Sequence, residues 1–137
     1  MLGFATMLRQ MHAAKGLNEQ TVVVVDDDPA VLGSLKFALE IEGFRVRVFL
    51  SGRDLLDGEA LPEPACLVVD YNLPGTNGLD LLAALRARGT RLPAILITSH
   101  PSGEVSRRAA AAGIAIIEKP LLGNALSEAI RRALGGT

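Results

Sequence analysis

The sequence predicts an α/β fold in which a five-stranded parallel sheet carries helices on both faces. Three observations predict it. Short apolar runs alternate with segments of helical periodicity in the order βαβαβαβαβα, the signature of parallel strands joined through helices. The runs are mostly rich in Val and Ile without alternation, which suits strands buried on both faces. Four of them end in polar residues (Asp26 and Asp27, Asp70, Thr98, Lys119). In such a sheet the strand ends gather on one edge, beside the switch point where ligands bind.

Each element follows from local chemistry. Val22 to Val25 form a β-branched run, and "DDDPAV" then turns the chain. Pro29 suits the first helical position with Asp28 as N-cap. Over 29–42, Leu32, Leu35 and Leu39 recur at helical spacing, and Gly43 stops the helix. "FRVRVF" (44–49) alternates apolar and charged residues, as a strand near the sheet edge does. Ser51 caps a short helix in "SGRDLLDG", and "LPEPA" (61–65) is a proline-rich connection.

"CLVVD" (66–70) is the next strand, and "NLPGTNG" (72–78) is dense in turn residues. Gly75 and Gly78 read there as turn glycines. A helix over 79–89 closes at Gly89, and the apolar run 92–100 ends in Thr98, Ser99 and His100. Residues 102–113 form an Ala-rich helix, on which Arg107 and Arg108 read as a solvated face. The run 114–120 ends in Lys119 and Pro120. In 121–134, Leu122, Leu126, Ala129, Ile130 and Ala133 predict a last helix. Residues 1–20 stand outside the pattern and are expected to be a flexible N-terminal extension, with the domain over 21–137. Phe4, Met7, Leu8 and Met11 fall at helical spacing within that extension.

Composition narrows the function. The 137 residues fit one domain, 49% of them are hydrophobic, and Trp is absent, so the core is aliphatic. The formal net charge of −1 argues against nucleic-acid binding through a general basic surface. Cys66 is the lone cysteine, so no internal disulfide forms, and with two scattered histidines it makes no Zn²⁺ site. A reducing cytoplasm is the expected compartment. No run has transmembrane length, and no secretory signal precedes the first strand.

The chemistry lies at the strand ends. Three carboxylates meeting there repel unless a hard cation neutralises them, and oxygen-only donors favour Mg²⁺, or Mn²⁺, over Zn²⁺. An ammonium and a hydroxyl opposite suit the oxygens of a phosphoryl group. The constellation points to phosphoryl transfer to an aspartate. Asp28 is assigned to helix capping alone.

"VVVVDDDPAV", "CLVVDYNLPGTNGLDLL", "ILITSH" and "IEKP", in this order, resemble the receiver domain of two-component response regulators over about 22–134. The resemblance implies a flavodoxin-like (βα)5 fold with strand order 2-1-3-4-5. It implies that Asp70 is the phosphoacceptor, that Asp26 and Asp27 are the acidic pair, and that Asp27, Asp70 and the backbone carbonyl of Asn72 hold Mg²⁺. Thr98 matches the switch hydroxyl, Lys119 the salt-bridging lysine, and Pro120 the proline that follows it, whose preceding bond is often cis. His100, two residues after the switch threonine, stands where the family modulates phosphate lifetime, and Ser99 is a further candidate modulator beside it. Ile116 departs from the family's frequent Tyr or Phe, so the signal is expected to leave through Thr98 and residues 98–113 instead of an aromatic rotamer.

The implied partners are a sensor histidine kinase or histidine phosphotransfer protein and an unknown downstream protein, with no nucleic acid and no membrane. The implied state is a monomer or a phosphorylation-dependent dimer. Self-phosphorylation and self-dephosphorylation are expected, without catalysis on an external substrate. Two rivals remain: the receiver of a longer DNA-binding regulator, and a Mg²⁺-dependent aspartyl-phosphate phosphatase. Such phosphatases of the haloacid dehalogenase type carry a second Asp two residues after the nucleophile. Asn72 occupies that place here and counts against them.

Overall fold

The computed structural model describes Gly3 and residues 20–121 and 123–135. The Phe4–Met11 pattern and nearly all of the expected N-terminal extension lie outside the described residues, as does Leu122.

The elements are β1 (Thr21–Val25), α1 (Pro29–Ile41), β2 (Arg45–Phe49), α2 (Gly52–Asp57), β3 (Ala65–Asp70), β4 (Asn72–Leu73), β5 (Thr76–Asn77), α3 (Gly78–Ala87), β6 (Ala94–Thr98), α4 (Gly103–Ala111), β7 (Ala115–Glu118) and α5 (Ala125–Ala133). β2, β1, β3, β6 and β7 pair in that order, all in parallel. Leaving aside the small antiparallel β4–β5 ladder, this is the expected order 2-1-3-4-5.

Alternation along the buried strands divides the core. Val23, Val25, Leu67, Val69 and Leu96 pack with α2, α3 and α4 on one face. Val22, Val24, Val68, Ile95 and Ile97 pack with α1 and α5 on the other. Both faces of the central strands are thus covered, and β1, β3 and β6 are buried throughout. Hydrophobic burial at about 25 cal/mol per Å² of apolar surface is the main force holding the helices to the sheet. Cys66 is fully buried there, and burial pushes its thiol up to about 12. It behaves as a small hydrophobe.

Local chemistry places the helix starts. The Asp28 carboxylate accepts from the N–H groups of Ala30 and Val31, with Pro29 beginning the helix. Ser51 and Ser102 cap α2 and α4 in the same way. Gly43, Gly89 and Gly113 follow the ends of α1, α3 and α4, each at positive φ.

Three elements differ from expectation. The last helix begins at Ala125 instead of 121, because Gly123 sits at φ 63°, a left-handed conformation that a right-handed helix cannot include. The run at 114–120 is not a fully buried strand: as the sheet's edge, β7 is paired with a neighbouring strand on one side only, and Ala115 and Glu118 are exposed. The stretch 72–78 is more ordered than a plain turn, since β4 and β5 pair and Asn77 caps α3. Among the described residues no helix is long and apolar enough to cross a membrane.

Candidate phosphoryl-acceptor and metal site

The carboxyl ends of the central strands converge, and backbone hydrogen bonds beyond the strand ends set their spacing. Asp26 N–H donates to the Phe49 carbonyl at 3.1 Å and Tyr71 N–H to that of Ile97 at 2.8 Å. Lys119 N–H donates to the Thr98 carbonyl at 2.9 Å, which seats the lysine directly beside the threonine.

This edge brings together the predicted carboxylates. Asp26, Asp27 and Asp70 each offer an oxygen within 4.8 Å of the others. Asp26 and Asp70 are buried and Asp27 is exposed. Lys119 Nζ donates to Asp70 Oδ2 at 3.2 Å, while Asn72 N–H approaches Asp70 Oδ1 at 3.3 Å. Thr98 is buried at the end of β6.

The other sequence-predicted positions lie around this centre. Asn72 is exposed in β4. Ser99 and His100 are exposed in the loop before α4, and His100 adopts φ 96°. Pro120 is exposed and follows a cis bond to Lys119, as expected. Ile116 is half-buried against the core on the α2–α4 side.

Electrostatics at the cluster point in the same direction as the cation expectation. The Asp26 carboxyl is raised above the usual carboxylate range by burial, against a hydrogen bond from Asp28 N–H and the charge of Lys119, and with further upward pushes from Asp70 and Asp27. A single lysine does not balance three carboxylates. The donors are all oxygens, so the residues fit a hard divalent cation.

The sign of this shift gives an expected result. A carboxyl raised on folding lowers stability as pH rises above 3.8 through its folded value, because the folded state then holds more protons than the unfolded one. Asp26→Asn keeps an oxygen for Asp28 N–H and removes the charge. In chelator it should melt above wild type at pH 7, with the margin closing toward pH 4. The separation between the two melting temperatures should grow steadily from pH 4 to pH 7. Thermal melts at both pH values check this, and equal melting at pH 7 would contradict it.

Two contributors were not legible as such in the sequence. Gly78 is more than a turn glycine: a Cβ built there would meet the Asp70 carbonyl oxygen at 2.6 Å and Leu96 Cδ1 at 2.7 Å. Its N–H also donates to the Tyr71 carbonyl at 2.8 Å, folding the loop back against the end of β3. Arg108 is not a free solvated residue, since it pairs with Asp80 across two helices at 2.6 Å. The spacing Asn77-x-x-Asp80, which resembles a capping box, was the available signal for the first half of that network.

Comparison with known proteins decides the family. The profile described as "Response regulator receiver domain" matches residues 22–131. The chain belongs to this family. The receiver is 38% identical over 115 residues to the transcriptional regulatory protein FixJ of Azorhizobium caulinodans, covering 83% of this chain and 54% of that protein. It is 34% identical to the transcriptional regulatory protein TdiR of Thauera aromatica, covering 90% and 55%. Among solved structures, the receiver superposes on FixJ-N with a TM-score of 0.78 at 33% identity, over 88% of this chain and 97% of that one. The chain therefore spans about half the length of the two curated relatives.

Proposed function

We propose that this receiver accepts a phosphoryl group on Asp70 from a phosphohistidine of a sensor kinase or phosphotransfer protein. The observation that carries the reading is the convergence of Asp26, Asp27 and Asp70 within 4.8 Å, with Lys119 Nζ 3.2 Å from Asp70, at the carboxyl edge of the sheet. The domain is taken as 21–137.

The chemistry follows from these side chains. An Asp70 carboxylate oxygen attacks phosphorus, forming an acyl phosphate as the bond to the imidazole nitrogen breaks. Lys119 and Thr98 supply the ammonium and hydroxyl for the phosphoryl oxygens. Mg²⁺, or Mn²⁺, held by Asp27, Asp70 and the Asn72 carbonyl with Asp26 behind them, would neutralise the charge gathered in the transition state. Hydrolysis of the acyl phosphate by water returns the domain to its resting state. No external substrate is turned over. Thr98, drawn toward the phosphoryl group, would pass the signal to residues 98–113, with Ser99 and His100 shaping access of water and Ile116 staying packed.

A partner has room to approach. An open groove lined by Ala30, Val31, Ser34, Ala38, Pro120 and Leu121 adjoins Lys119. Phe37 and Ile41 continue an exposed apolar surface along α1, at 68% and 69% exposure. This face suits the apolar side of a histidine-bearing helix.

The metal reading is tested by Asp27→Ala. Mg²⁺ titration can be followed by the fluorescence of Tyr71, the only tyrosine in a chain without Trp and the neighbour of Asp70. The variant should lose at least about tenfold in affinity, equivalent to about 1.4 kcal/mol, and should not be phosphorylated by acetyl phosphate. A wild-type titration curve for the variant would refute the assignment.

A second reading concerns output. The relatives are named transcriptional regulatory proteins, and the chain spans 54% and 55% of two of them. This favours a receiver that controls DNA binding elsewhere in a longer regulator over output through a separate protein partner. Reading the coding frame beyond Thr137 tests it.

A further inference from the structure

Asp80 joins two segments that both lead away from the site. It lies in the first turn of α3, where a carboxylate is favoured by the helix N-terminus. Asn77 Nδ2 donates to Asp80 Oδ2 at 3.0 Å, and Asp80 N–H donates to Asn77 Oδ1 at 2.9 Å. Asn77 ends the loop that begins at Asp70. The other carboxylate oxygen, Oδ1, accepts from Arg108 Nη2 at 2.6 Å. Arg108 belongs to α4, the helix that follows Thr98. One carboxylate thus connects the segment after Asp70 with the segment after Thr98.

A second link runs in parallel. Arg86 Nη1, from the last turn of α3, donates to the Ala112 carbonyl at the end of α4. Both links hold the C-terminal half of α4. In the N-terminal half, Gly103 to Ser106, only Val105 packs partly against the core, and Ala109 is the only fully buried residue in the helix. With so little burial, a few polar contacts weigh heavily in where α4 sits.

We propose that Asp80 is a positioning residue that couples the loop after Asp70 to α4 and holds α4 in its resting place. The inference rests on the assignment of Asp70 and Thr98 above. The Asp80–Arg108 pair is present in this arrangement, so cutting it favours arrangements with α4 displaced. A phosphoryl mimic that displaces α4 then has less work to do and binds more tightly. For an exposed pair the expected effect is about two- to fivefold.

The test uses Asp80→Asn, which keeps an acceptor for Asn77 but no charge, together with Arg108→Ala, their double variant and Arg108→Lys. Amide exchange over 103–111 is measured with and without Mg²⁺ and beryllofluoride, and affinities for each are read from Tyr71 fluorescence. Asp80→Asn and Arg108→Ala should each speed exchange in the ligand-free protein about two- to fivefold. Each should tighten beryllofluoride binding by a similar factor and leave Mg²⁺ affinity unchanged. The double variant should match either single one, as for residues acting as a pair, and Arg108→Lys should stay close to wild type. Wild-type exchange and beryllofluoride affinity in both single variants would overturn the proposal, as would additive effects in the double variant. If wild type itself failed to bind beryllofluoride with Mg²⁺, the assignment of Asp70 would fall, and this inference with it.

Discussion

Asp70→Asn should end phosphorylation altogether. Incubation with acetyl phosphate and Mg²⁺, followed by trapping and mass spectrometry, should place one acyl phosphate on wild type, at Asp70, and none on the variant. The amide matches the carboxylate in shape but lacks a nucleophilic oxygen anion. Asp26 and Asp27 lie within 4.8 Å yet cannot substitute. Lys119 is bonded to Asp70, and Thr98 lies one strand over at the end of β6. A phosphoryl group on either neighbour would not have both groups arranged around it. The fold should survive: the Asn oxygen can still accept from Lys119 Nζ, at the expense only of the long 3.3 Å contact from Asn72 N–H, and one charge leaves a crowded acidic cluster. A melting temperature at or above wild type, together with the lost label, separates this outcome from unfolding. Robust labelling of the variant would overturn the assignment.

The largest stability effect is expected from Gly78→Ala. The added methyl would sit 2.6 Å from a backbone oxygen and 2.7 Å from a fully buried leucine. Neither neighbour has open space: the carbonyl belongs to the end of β3, and Leu96 is held between β3 and β7. The helix cannot simply retreat, because the Gly78 N–H is bonded to Tyr71 and Leu79, Leu81, Leu82 and Leu85 are all buried beyond it. Overpacking typically costs about 1–3 kcal/mol, and contact with backbone belongs at the upper end. At about 4 °C or more per kcal/mol, the melting temperature should fall by roughly 10 °C. Phosphorylation by acetyl phosphate should slow as well, since the displaced carbonyl is that of Asp70. Unchanged melting and unchanged phosphorylation would show that the approach relaxes easily.

These two residues mark how far the sequence can be read. Asp70 could be singled out from the sequence: a carboxylate at the end of an apolar strand is often only a cap or the start of a turn, but the polar ends of three other strands supply a context that sets it apart. Gly78 does not. Its neighbours are eight residues back and eighteen ahead in the chain, and nothing local distinguishes it from Gly75, a turn glycine at φ 72°. Periodicity located α1 through α4 to within a few residues, because each carries its own cap and its own stop. It overran α5, where apolar spacing continued through Gly123 although the backbone there does not.

Alternation of strands and helices, the acidic and basic strand ends, and the turn chemistry between them were therefore determined by the sequence alone. They are local properties, set by backbone sterics, side-chain periodicity and capping, while the family followed from the resemblance of the motifs and from the match to its profile over residues 22–131. Which strand would lie at an edge half exposed, how closely Gly78 must approach Asp70, and that Arg108 reaches Asp80 rather than water were decided only by the tertiary structure. Each depends on distances between segments far apart in the chain, and these arise when two helical layers are pressed onto a twisted sheet and the side chains between them find their places.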